Sequence, residues 1–183
     1  MNDMIKNNLE QDSVLLYPTD TVWGIGCDAT SVKAVSKIYK VKQREESKSL
    51  VVLVNSLEML KKYVAEVPDK ALEILKKARN PTTIVYEQPL GIAKNAIGKD
   101  NTIAIRIASD DFCKKMIAQF GKPIISTSAN ISGKKTPTQF SEISSAILNG
   151  VDYIVDLHQD KICVKSSTII KVTNRNQITV IRP

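Results

Sequence analysis

Lys42, Arg44 and Lys48 form a close basic cluster, and Ser126, Ser128 and Asn130 occupy alternate positions of a Ser-Thr-Ser-Ala-Asn stretch. Arg44 can fork onto two phosphate oxygens while the lysines add point charges, a division of labour suited to a triphosphate. In an extended segment leaving a strand, residues at i, i+2 and i+4 point the same way, so two hydroxyls and an amide would face one ligand. Both groups also have an ordinary reading. Arg44, Glu45, Glu46 and Lys48 can neutralise one another on a surface loop, and Ser, Asn and Gly cap and turn chains everywhere. Lys42 and Arg44 are two apart and do not share a helix face. If both hold one anion, a helix reaching them must end by about Val41.

A third polar stretch, Thr19-Asp20-Thr21, interrupts an apolar context between Tyr17 and Val22. Asp20 reads as a turn or cap residue. Gly24 and Gly26 lack the third glycine of a dinucleotide fingerprint. Arg106 falls inside the apolar run 103–107, where an unpaired guanidinium is expensive to bury, so it needs a carboxylate from the protein or from a ligand. A strand-edge arginine reaching solvent is the alternative. The sole histidine, His158, sits among Asp156, Gln159 and Asp160 and supports no serine or cysteine triad. The chain thus offers fixed cations, hydroxyls and an amide, but no nucleophile-base pair.

The elements that must position these groups alternate in type. Runs at 13–17, 50–54, 82–86, 102–107, 123–126, 152–155, 167–172 and 178–181 read as strands, most of them rich in Val and Ile. Several are apolar almost throughout, which predicts central strands covered on both faces. Helices are expected after Ser31 and Ser56, from Pro68 at a first turn, after Asp110 with Gly121 just past the end, and from near Ser141 to Gly150. This is an α/β or mixed α+β layout of one domain over residues 1–183. The net charge of +7 favours anionic partners without choosing among them. Cys27, Cys113 and Cys163 lack metal-ligand spacing. The first eleven residues carry no signal-peptide hydrophobic stretch, and no run approaches the roughly 18 apolar residues of a membrane span. A cytoplasmic location and no membrane partner are expected.

In this order the motifs resemble the YrdC-type (TsaC-type) threonylcarbamoyl-AMP synthases, in their short single-domain form. The resemblance runs from Tyr17-Pro18-Thr19-Asp20-Thr21-Val22-Trp23-Gly24 to Ile181-Arg182-Pro183, with Lys42-x-Arg44 and Ser128-x-Asn130 its most specific pieces. It implies a twisted, open mixed sheet flanked by helices, with a large concave basic pocket for ATP, L-threonine and bicarbonate. Magnesium is expected to arrive with ATP, without a metal site of the protein's own. The product, threonylcarbamoyl-AMP, serves N6-threonylcarbamoyladenosine formation at tRNA position 37, which brings tRNA or a downstream threonylcarbamoyltransferase complex in as partners. By position, Lys42 and Arg44 are implied as catalytic, and Arg44, Lys48, Thr102, Ser128, Asn130, Thr136 and Arg182 as ATP contacts. Thr21, Arg106, Ser126 and Ser167 are implied as threonine contacts, with Arg106 meeting the carboxylate. Trp23 and Leu53 depart from the common tyrosine and histidine. The additional C-terminal domain of longer members is expected to be absent.

Two other functions compete. A non-catalytic RNA-binding module would suit the basic charge, but aromatics make up only 5% of the chain and no base-stacking motif is evident. A carbamoyl-adenylate module of the carbamoyltransferase kind would share the two signature pairs and use carbamoyl phosphate.

Overall fold

The structure, a computed structural model, describes residues 3–45, 50–163 and 166–183. Among them, nine strands build one mixed sheet: β1 (Leu15–Tyr17), β2 (Gly24–Gly26), β3 (Val51–Val54), β4 (Thr82–Glu87), β5 (Thr102–Ile107), β6 (Ile124–Ser128), β7 (Tyr153–Ile154), β8 (Thr168–Val172) and β9 (Ile178–Arg182). Their spatial order is β7-β1-β2-β6-β3-β5-β4-β8-β9. β1 with β7, β3 with β5 and β4 with β8 are parallel pairs, and the remaining neighbours are antiparallel.

The period of two in each strand divides the side chains between two layers. On one face Leu16, Ile25, Val52, Ile105 and Ile125 form the larger core with helices α2 (Val32–Lys42), α3 (Leu57–Leu60) and α4 (Asp69–Lys77). On the other face Leu15, Tyr17, Leu53 and Ile124 meet helices α1 (Asp3–Glu10) and α5 (Asp111–Phe120). Along β5 and β6 the alternation leaves Ala104, Arg106, Ser126 and Ser128 on this second face, beyond its apolar patch. The polar positions of otherwise apolar strands are therefore gathered on one side of the sheet.

Helix ends follow local chemistry. The Ser31 hydroxyl accepts the Ala34 N–H at 3.2 Å and the Asp110 carboxylate accepts the Cys113 N–H at 2.8 Å, each satisfying a first-turn donor. α5 stops at Gly121, whose φ of 77° costs a glycine little. Every strand expected from sequence is present within a few residues. The differences have physical causes. β2 escapes a propensity reading because two of its three residues are glycine. α1 has only Ile5 and Leu9 buried in an otherwise polar stretch. Pro68 occupies the N-cap position rather than the first turn. The helix expected from Ser141 is a 3-10 turn at Phe140–Glu142 followed by α6 (Ser145–Leu148), with Ser144 extended between them as a fresh N-cap position.

Candidate active site

A cavity of about 260 Å³ opens on the second face of the sheet, over the region where β3, β5 and β6 adjoin. It brings together Thr21, Arg44, Arg106 and Ser126 with Ser128, Thr136, Ser167 and Arg182, residues drawn from both ends and the middle of the chain. Its volume is modest beside the usual range for small-ligand sites. Val22, Leu50, Val51, Thr127, Ser166 and Ile169 complete the lining and were not expected. Val51 could have been found from its place beside Ser126 in the ladder, but that pairing is not visible in sequence.

Three guanidiniums, of Arg44, Arg106 and Arg182, line this one space. Burial and Arg106 pull Arg182 below its ordinary value, and burial does the same to Arg44. A cavity that makes further positive charge costly favours an anion. Arg182 also forks onto the chain: its Nε and Nη2 donate to the Ser167 carbonyl at 3.0 and 2.8 Å. The Ser167 hydroxyl shares a hydrogen bond with Thr83 Oγ1 at 2.8 Å.

Arg106 finds its carboxylate inside the protein. Its Nη2 lies 3.0 Å from Asp20 Oδ1, and both side chains are buried. Its Nη1 donates to Thr21 Oγ1 at 3.1 Å. The turn presenting these partners is tied by Thr19, whose hydroxyl accepts the Thr21 N–H at 3.1 Å and donates to the Val22 carbonyl at 2.7 Å. Asp20 was the residue that sequence reasoning missed, because a turn aspartate gives no sign of a partner 86 residues away.

Lys42 does not point a charge into this cavity. It is the last residue of α2, which therefore runs one residue past the expected end, and its side chain is buried to 1% exposure. Nζ donates to the carbonyls of Ser128 at 2.5 Å and Asn130 at 2.8 Å. Burial, then the nearby Arg44 charge, bring its pKa down to about 7. The two signature pairs thus meet directly, with the lysine fastening the chain that follows β6 while Arg44 reaches the cavity. Gln43 makes this possible by ending the helix in the left-handed region at φ 49°.

Asn130 also differs from expectation. β6 ends at Ser128, and the Asn130 N–H closes a tight turn onto the Ser128 carbonyl at 2.9 Å, so the alternation that aligns Ser126 with Ser128 stops there. The Asn130 amide donates to the Ile131 and Lys134 carbonyls at 3.0 and 2.8 Å, and its residue borders a different cavity. Thr102 lies on the cavity's face of β5 but at the far end of the strand, where its hydroxyl donates to Asp100 Oδ1 at 2.7 Å. It does not line the cavity. Lys48 falls outside the described residues. Trp23 and Leu53 are both fully buried, one in each core, with Trp23 against Phe140 at 5.0 Å between ring centroids. Among the described residues no group of three or more His, Cys, Asp or Glu side chains is placed to hold a metal. The cavity's guanidiniums and hydroxyls do not fit a protein-held magnesium ion. No helix among them is long and apolar enough to cross a membrane.

The Sua5/YciO/YrdC family model, described as "Telomere recombination", matches residues 7–183. The chain belongs to this family. Among its relatives, the threonylcarbamoyl-AMP synthase of Pseudoalteromonas translucida is 36% identical over 151 residues, 81% of either chain. A putative threonylcarbamoyl-AMP synthase of Methanocaldococcus jannaschii is 35% identical over 179 residues, 97% of this chain and 83% of that one. Of solved family structures, P. abyssi Sua5 complexed with L-threonine matches with a TM-score of 0.83 at 28% identity. That match covers 92% of this chain and 49% of the P. abyssi chain, so this chain spans about half of its length. E. coli YciO matches with a TM-score of 0.83 over 98% of this chain and 88% of its own, at 23% identity, a likeness of fold.

Proposed function

We propose that this chain is a threonylcarbamoyl-AMP synthase that joins L-threonine, bicarbonate and ATP. The observation that carries the reading is the convergence of Arg44, Arg106 and Arg182 with the hydroxyls of Thr21, Ser126, Ser128 and Ser167 in one cavity. The names of its relatives and the threonine complex of P. abyssi Sua5 support it. The threonine nitrogen adds to the bicarbonate carbon, water leaves, and a carbamate forms. A carbamate oxygen then attacks the α-phosphorus of ATP, the bond to the β-phosphate bridging oxygen breaks, and pyrophosphate departs.

Neither step needs a protein nucleophile. The chain's task is to hold three reactants in line, exclude water from a labile carbamate, and stabilise negative charge on the phosphates. Arg106, Thr21, Ser126 and Ser167 hold threonine. Arg44, Ser128, Thr136 and Arg182, which line the cavity, hold the nucleotide together with Lys48, while Thr102 and Asn130 stand outside the cavity lining. Lys42 keeps Ser128 and Asn130 in place. Magnesium comes bound to the triphosphate, where it neutralises phosphate charge. The adenylate serves tRNA threonylcarbamoylation in the cytoplasm, passing to a transferase complex or to tRNA.

The test supplies purified chain with ATP, magnesium, L-threonine and bicarbonate and measures pyrophosphate. Release that needs both threonine and bicarbonate is the expected outcome. Absence of release sinks the proposal, as does release with carbamoyl phosphate in place of the pair. Salt-dependent RNA binding without ATP turnover would favour a binding module instead.

A further inference from the structure

The second carboxylate oxygen of Asp20 shows that this side chain does more than neutralise Arg106. Oδ2 accepts both the N–H of Ser109, at 3.2 Å, and its hydroxyl, at 2.5 Å. Ser109 immediately precedes Asp110, the N-cap of α5, so the carboxylate is anchored to the start of a helix packed into the second core. Its other oxygen lies against Arg106 Nη2, while Thr21 takes Nη1. The guanidinium therefore meets one turn through both terminal nitrogens, by an ion pair at Nη2, whose Asp20 oxygen has no aligned hydrogen bond among the described residues, and by a hydrogen bond at Nη1. Arg106 Nε is buried and has no hydrogen-bond partner among the described residues. Arg106 nonetheless lines the cavity. A guanidinium fixed by one turn at its terminal nitrogens while it borders a cavity can offer its remaining terminal N–H groups to a carboxylate there.

We propose that Asp20 is a positioning residue that sets the angle of the Arg106 guanidinium for the carboxylate of the amino-acid substrate. The inference rests on the threonine reading given above. Without the aspartate, a cation buried beside Arg182 loses its fixed counter-charge and turns toward whichever acceptor or solvent it can reach. Threonine then meets a mobile, displaced fork. The nucleotide end of the cavity does not depend on this contact. The consequence is selective: loss of amino-acid affinity without equal loss of ATP affinity.

The experiment uses the full chain with Asp20→Asn, Asp20→Glu and Ser109→Ala. Three measurements apply: KM for threonine and for ATP, the preference for L-threonine over L-threoninamide, and rotation of the Arg106 guanidinium by NMR of nitrogen-labelled protein without substrate. Asp20→Asn is expected to raise the threonine KM by about tenfold or more, to leave the ATP KM within about twofold, and to erase most of the preference for the carboxylate. Rotation of Arg106, slow in the unsubstituted chain, becomes fast. Asp20→Glu restores part of each effect. If Asp20→Asn does not fold, Ser109→Ala removes only the anchor and is expected to raise the threonine KM by about threefold.

Equal losses toward both substrates, an unchanged threonine KM, or a guanidinium already rotating freely overturns the proposal. A chain with no preference between threonine and threoninamide refutes the placement of the carboxylate on Arg106. Slow rotation that Asp20→Asn releases would still establish the aspartate's hold on the arginine.

Discussion

Lys42 shows how a motif residue can brace the chain beside a cavity that it does not line. Its nitrogen spans two carbonyls of the chain after β6, and even a neutral amine keeps two N–H donors for them. The pH dependence follows from its pKa of about 7 in the fold against an ordinary lysine value of 10.5. Between those values the unfolded chain binds more protons than the folded one, so this residue makes stability rise with pH above about 7 and contributes no slope below it. The limiting slope is about 1.4 kcal/mol per pH unit. Urea unfolding of the chain and of Lys42→Met, compared from pH 6 to about 8, below the range where the buried thiols of Cys27, Cys113 and Cys163 oppose the trend, is expected to show this rise only with the lysine present. Parallel curves would mean that Lys42 titrates normally. Arg44→Ala supplies a second contrast at this scale. Arg44 meets the cavity directly, so its loss is expected to cut turnover at least about a hundredfold with the fold intact, read as pyrophosphate release. Unchanged turnover would return Arg44 to a surface charge.

The elements impose their own limits, most tightly at β2, which runs between β1 and β6. A Cβ built on Gly26 would lie 2.0 Å from the Ile125 carbonyl oxygen and 2.8 Å from the Tyr17 hydroxyl. Because the first obstacle is backbone, Gly26→Ala must separate β2 from β6 and is expected to cost more than about 3 kcal/mol or to prevent folding. At Gly24 the nearest atoms are side-chain atoms of Thr19 and Ser126, at 3.2 and 3.3 Å. Gly24→Ala should therefore fold, lose no more than about 1.5 kcal/mol, and disturb Ser126 in the cavity. Urea unfolding with threonine KM on both variants separates the cases. Equal destabilisation would show that the strand, and not its close approach to β6, sets the cost. The same strand marks where sequence reading runs out. Val-rich β3 and Ile-rich β5 declare themselves by composition, whereas β2 exists because two glycines let neighbours come close, a property of the neighbours.

On the scale of the whole molecule, a sheet covered on one face by a continuous core leaves its other face free to hold a polar cavity beside a smaller apolar patch. The hydroxyl and guanidinium residues were legible in sequence because they interrupt apolar strands or follow them. Their sorting was not: Asn130 leaves the strand's alternation at a turn, and Asp20 reaches Arg106 only once β5 lies beside the first loop. This arrangement makes a prediction for the molecule as a unit. If, as proposed, Arg44 and Arg182 serve the nucleotide and Arg106 the amino acid, each ligand should stabilise the same fold through different cations. A ligand at a hundred times its Kd adds about 2.7 kcal/mol. For a chain of this size that is roughly 5–10 °C in Tm. Magnesium-ATP is expected to raise the melting temperature of Arg106→Ala nearly as much as that of the unsubstituted chain, and to leave Arg44→Ala almost unmoved. Threonine should reverse the order, shifting Arg44→Ala and not Arg106→Ala. If either substitution abolishes both shifts, the two ends form one indivisible site, and the division of labour among the three arginines is wrong.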